Sequence, residues 1–147
     1  MADELLETKA KWWFWIVAII ALFWNLVGVG AYLGSAFGGE ALLIDTYGAE
    51  GADVMSSRPA WATAAFAIAV FGGTLGAIAL LMRKSWAGWL FVFSFIGVLV
   101  QNLWGFLLSD AAKYMMPADK VMTPMIVIFA IFLIWFAYKM AHKGILR

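Results

Sequence analysis

Four stretches of the chain, residues 12–33, 60–82, 86–108 and 121–138, contain no Asp, Glu, Lys, Arg or His. A helix rising ~1.5 Å per residue needs roughly 20 residues to cross a hydrocarbon core about 30 Å thick, and each stretch is near or above that length. The pattern predicts four membrane spans. Backbone amides in lipid must be satisfied within their own segment, and the runs lack the alternating polar positions of an outer-membrane barrel strand, so the spans are helices. The fold class is therefore an all-α membrane protein, a four-helix transmembrane bundle forming a single domain over residues 1–147.

The polar segments between the spans set an orientation. Arg83 and Lys84 follow the second span without a neighbouring acid, and Lys139, Lys143 and Arg147 follow the fourth, which places these segments on the cytoplasmic side. The first connection carries Glu40, Asp45, Glu50 and Asp53 against Arg58, and the third balances Asp110 and Asp119 with Lys113 and Lys120. Those two face outward, so both termini are cytoplasmic, with Lys9 and Lys11 beside the membrane. The preceding tail holds Asp3, Glu4 and Glu7, unlike the basic start of a signal peptide, and the first span is too long for one. Trp12, Trp13, Trp15, Trp86, Trp89, Trp135 and Tyr138 fall at inner span ends, and Tyr32, Trp61 and Trp104 near outer ends, as interfacial anchors do.

The apolar run 40–47 reads as a short helix at the outer headgroup boundary, loosened afterwards by Gly48, Gly51, Ser56 and Ser57. Pro59 and Pro124 suit the first turns of spans two and four, where a missing N–H is harmless.

Composition narrows the classes of function. At 65% hydrophobic and 13% charged, with mean hydropathy +0.92, the chain leaves too little outside the bilayer for a soluble domain. A net charge of +1 provides no basic face for nucleic acid. Without cysteine there is no disulfide, thiol chemistry or thiolate metal site. His142 is the lone histidine and lies in the basic tail, Ser35, Ser56, Ser57 and Ser85 have no histidine base nearby, and no span carries Asp, Glu, Lys, Arg or His. The chain is expected to be neither an enzyme nor a proton-coupled antiporter, with no cofactor and no metal site.

Small residues and amides complete the pattern. Gly72, Gly73 and Gly76 in span two, and Gly30 with Gly34 in span one, are spaced for close helix packing within the bundle or in a homo-oligomer. Asn25, Gln101 and Asn102 are the strongly polar groups within the spans, with the hydroxyls of Thr63 and Thr123 nearer the outer surface. An amide left unpaired in hydrocarbon costs several kcal/mol, so a shared cluster is expected. Two readings stay open: the amides cement helices, or they form an outward-facing pocket with Trp24 and Trp104 as an aromatic platform for a neutral polyol or sugar. Spans one and three each read Trp-x-x-Trp and later Asn-Leu-x-Gly, from Trp12 and Asn25 and from Trp86 and Asn102, a two-hairpin pseudo-repeat. It would set Asn25 and Asn102 roughly 20 and 24 Å from the inner boundary.

Three segments carry a family resemblance: Leu22-Phe23-Trp24-Asn25-Leu26-Val27-Gly28-Val29; residues 59–76, Pro-Ala-Trp-Ala-Thr-Ala-Ala-Phe-Ala-Ile-Ala-Val-Phe-Gly-Gly-x-x-Gly; and Arg83-Lys84-Ser85-Trp86-Ala87. Together they resemble small bacterial four-span membrane proteins of about this length, commonly labelled sugar transporters. The resemblance covers most of spans one to three and assigns no residue a role. It implies a multi-pass protein of the bacterial inner membrane. Small multidrug antiporters differ in needing a glutamate in the first span, Pro-Gln-repeat sugar transporters need a motif this chain lacks, and claudin-like and quinone-reducing four-helix proteins need cysteines. Two functions follow: a facilitator or binding protein for a small neutral solute, or a non-catalytic accessory subunit of a larger membrane complex.

Overall fold

The computed structural model describes residues 11–115 and 117–146, so the charges at Asp3, Glu4, Glu7, Lys9 and Arg147 lie outside the described residues. It is 87% helical, without strands among the described residues. The elements are α1 (Trp12–Phe37), α2 (Gly39–Ser56), α3 (Ala60–Leu81), α4 (Ala87–Leu103), a π-helical turn (Trp104–Leu108), α5 (Ala111–Tyr114) and α6 (Pro117–His142). Four of these segments, α1, α3, α4 with its π turn, and α6, are long and apolar enough to span a membrane. Their 22 to 26 residues correspond to about 33 to 39 Å of helix, so the ends project beyond a ~30 Å core.

The spans pack in the order α1, α3, α4, α6, and α3 is the best buried of them. The tightest pair is α3 with α4. A methyl added at Gly97 would lie 2.6 Å from the Ala65 carbonyl oxygen and 2.8 Å from the Ala69 nitrogen, so the backbones themselves are in contact there. Gly76 takes the Phe91 ring and Gly72 faces Ser94 across the same seam. The Ser94 hydroxyl donates to the Ala69 carbonyl over 2.5 Å, tying the helices at their closest approach. Close approach rather than hydrophobic exclusion holds such helices together in lipid. By contrast, α1 and α6 meet through aromatic rings: Phe14 stacks on Phe136 at 5.8 Å, Trp13 meets Phe136 at 5.9 Å and Trp24 meets Phe129 at 5.2 Å.

At one end of the bundle the tail folds back on the α3–α4 connection. Arg83 Nε donates to the Ile145 carbonyl over 2.9 Å, and Ile145 and Leu146 are buried with Phe14, Leu80, Phe136 and Met140. The opposite end is capped. There α2 packs on α5, and Met55, Ala62, Trp104 and Ala111 form a second apolar cluster. The polar connections thus divide between the two ends as the charge pattern groups them.

Three local expectations change. Helix α2 does not stop after 47: Gly48, at φ 81° and ψ 170°, interrupts it, and a second helical piece continues to Ser56. Only glycine adopts that backbone readily. Helix α6 begins a turn before the predicted span, at Pro117, which takes the first-turn role and leaves Pro124 within the helix. The carbonyl that Pro124 cannot satisfy belongs to Lys120, beyond the apolar run and near water. Finally, α4 widens after Leu103 into the π turn.

Candidate functional site

Between the apolar clusters at the two ends, the four spans leave a partly open crevice. An inner chamber of about 210 Å³ is walled by all four spans, chiefly by Trp24, Val27, Phe66, Val70, Phe91, Val98, Ile126 and Phe129. Its polar groups are Asn25 of α1, Ser94 and Gln101 of α4. Phe91 and Leu133, which also belong to the buried cluster at the tail end, form its floor. A second chamber of about 420 Å³ lies beneath α2, between it and the ends of α1, α4 and α6. The chambers share the walls Ala31, Phe66, Val98, Gln101, Met122 and Ile126, so they adjoin as two parts of one crevice.

In the inner chamber, polar groups are largely satisfied by helix backbone. Asn25 Nδ2 donates to the Ala21 carbonyl over 2.8 Å, one turn back on its own helix. Its Oδ1 occupies the space a side chain at Gly73 would fill, and the Ser94 hydroxyl borders the same space. Asn25, Gly73 and Ser94 therefore form a compact polar contact between α1, α3 and α4. Gln101 differs. It reaches both chambers and is the amide set at their boundary.

The capped chamber is more polar, with Ser35, Thr46, Tyr47, Arg58, Gln101, Asn102, Asp119 and Thr123 on its walls. Arg58 enters it from the residue before Pro59. Its Nη1 donates to the Ser35 hydroxyl over 3.0 Å, and its guanidinium carbon lies 5.5 Å from the Phe66 ring centre and 5.3 Å from that of Trp104. Such cation–π placements favour the charged guanidinium. Burial pushes the Arg58 pKa down, with the Tyr47 phenol opposing. Burial pushes Tyr47 up, Asp119 adding to the rise and Arg58 opposing it. Thr123 Oγ1 donates back to the Asp119 carbonyl over 3.0 Å.

The sequence-predicted residues divide as follows. Trp24, Asn25 and Gln101 line the inner chamber, while Gln101, Asn102 and Thr123 line the capped one. Asn25 and Asn102 face different chambers, with Gln101 at the boundary. Trp104 lines neither chamber: at the start of the π turn it is 6% exposed, packed with Met55, Ala62 and Ala111 beneath the Arg58 guanidinium. The aromatic partner of Trp24 is instead Phe129. Thr63 lines neither chamber.

Among the glycines, Gly72, Gly73 and Gly76 pack as expected, whereas added methyls at Gly30 and Gly34 would meet nothing within 4 Å. Within the chain, span one therefore does not use its Gly30–Gly34 pair for packing. Gly34 borders the capped chamber instead.

Sequence reasoning passed over Arg58, Ser94 and Gly97. Arg58 reads as one charge in a polar connection, and only the return of α2 over the bundle encloses it. Ser94 and Gly97 are three apart, hence on one helical face, which was a legible signal of close packing. No protein-family model, curated protein or solved structure matches this chain.

Proposed function

We propose that this integral membrane protein is a facilitator or binding protein for a small neutral solute of sugar-like or polyol chemistry. The observation that carries the reading is the position of Gln101, which lines both chambers of the crevice in the middle of the bundle. A carboxamide offers two donors and an acceptor, suited to hydroxyl groups, and Trp24 with Phe129 offers an apolar face for a sugar ring. Titratable side chains are absent from the inner chamber's walls, which favours an uncharged ligand there. The solute enters from the capped end, taken as the outer side of a bacterial inner membrane from the positions of Arg83, Lys84 and Lys139. The buried cluster around Phe14, Leu80 and Phe136 closes the opposite end. The resemblance to the four-span family labelled sugar transporters supports the same solute class. Uptake of labelled hexoses and polyols into vesicles reconstituted with the protein, above that of empty vesicles, is the expected result; no uptake and no binding would overturn it.

A second reading, a non-catalytic accessory or structural subunit of a larger membrane complex, is favoured by α1. That helix is the least buried span, and Gly30 on its exposed side meets nothing within the chain. A stoichiometric partner recovered from native membranes and identified by mass spectrometry would support this reading.

A further inference from the structure

Arg58 is a partly buried cation whose neutralisation the protein leaves incomplete. Among the described residues it has no carboxylate within ion-pair distance; its side chain makes one hydrogen bond, to the neutral hydroxyl of Ser35. Nε is buried and has no hydrogen-bond partner. The rings of Phe66 and Trp104 hold the guanidinium plane in place but satisfy none of its N–H groups. A guanidinium withdrawn from water without hydrogen-bonded partners is costly, and its planar fork matches the oxygens of carboxylate and phosphate groups.

The surroundings supply room and further hydrogen-bonding groups. The chamber that Arg58 lines measures about 420 Å³, far more than the ~10–15 Å³ a single water requires. Tyr47, Gln101 and Asn102 line the same space, whereas the hydroxyls of Thr46 and Thr123 donate to the Leu42 and Asp119 carbonyls of their own helices. Asp119 is on the wall too, where its charge adds to the rise in the Tyr47 pKa.

We propose that the capped chamber binds a small oxyanion, a carboxylate or phosphate group, through the Arg58 guanidinium, with Ser35 orienting it and the Asn102 amide completing the contacts. This site adjoins the inner chamber, but the proposal does not depend on the neutral-solute reading. The oxyanion belongs to a free metabolite or to a lipid headgroup.

The test titrates the full chain in uncharged detergent with sodium gluconate and with inorganic phosphate, at constant ionic strength in chloride, read by calorimetry. A parallel arm compares thermal stability in nanodiscs of zwitterionic lipid with and without phosphatidylglycerol. Saturable binding of a free anion, or selective stabilisation by phosphatidylglycerol, is expected and identifies the source. Arg58→Gln should weaken it at least tenfold. Arg58→Lys, which keeps the charge and the ring contacts but loses the fork, should melt as the parent does and still bind several-fold more weakly. No saturable binding in the titration together with no stabilisation by phosphatidylglycerol, or unchanged binding in folded Arg58→Lys and Arg58→Gln, would overturn the proposal.

Discussion

The side-chain oxygen of Asn25 occupies the space that a methyl group on Gly73 would fill. One glycine thereby admits an amide from α1 against the backbone of α3, beside the Ser94 hydroxyl of α4.

Gly73→Ala should destabilise the protein by about 1–3 kcal/mol, the usual cost of overpacking, because Asn25 must give up the position it holds. Gly30→Ala, whose added methyl meets nothing, should be neutral or slightly stabilising. Thermal unfolding of both variants in detergent checks the contrast; equal melting temperatures would show that Asn25 moves without cost.

Gly97→Ala should cost more than Gly105→Ala. At Gly97 the new methyl would face backbone atoms of Ala65 and Ala69 at 2.6 and 2.8 Å, which cannot rotate aside, whereas at Gly105 it would meet only the flexible Met115 side chain at 3.5 Å. Separation of α3 from α4 would also stretch the Ser94–Ala69 hydrogen bond. Melting curves compare the two, and the reverse order would contradict the packing described.

Much of this fold is readable in the chain because the bilayer imposes one rule everywhere: an uncharged run of sufficient length becomes a helix. The capped end obeys no such rule. The second half of α2, residues 49–56, is too polar to read as an apolar helix and acquires its place from Gly51 seated against Tyr114 of α5. Trp104 illustrates the same limit within the site. Three-residue spacing sets it beside Gln101 on an ideal helix, but the π turn and the Arg58 guanidinium draw it into the cap. Gln101 and Asn25 stand out in the sequence because amides in apolar runs are conspicuous, while Arg58 is hidden by its position in a charged connection.

Tyr47 should ionise above its ordinary value of 10.0, burial and Asp119 being the causes in that order. The folded state then holds the phenolic proton more tightly than the unfolded chain. Its contribution to stability is complete below the ordinary value and lost as pH rises through the folded one. The difference in phenolate absorbance between the parent and Tyr47→Phe isolates this titration. Arg58→Gln should shift it higher still, since the Arg58 charge opposes the rise; a downward shift would contradict the electrostatics of the capped chamber.

Single cysteines at Ser57 and Ser85, both exposed and at opposite ends of the bundle, should differ in intact cells. Ser57→Cys should react with an impermeant maleimide from outside, and Ser85→Cys only after permeabilisation. The opposite pattern would invert the protein in the membrane and turn the crevice toward the cytoplasm.

The central claim is that Gln101 serves a solute rather than the fold. Hydrogen bonds between helices in lipid are individually weak, about 0.6 kcal/mol on average, and leucine replaces most of the glutamine volume. Gln101→Leu should therefore keep the parental melting temperature to within a few degrees, yet lose uptake or binding of the neutral solute by tenfold or more, because the chamber no longer pairs its hydroxyls. The direct measurement is solute uptake into vesicles reconstituted with parent or Gln101→Leu protein, each with its melting temperature recorded. Loss of uptake at unchanged stability is the predicted result; full uptake by the folded variant would contradict it.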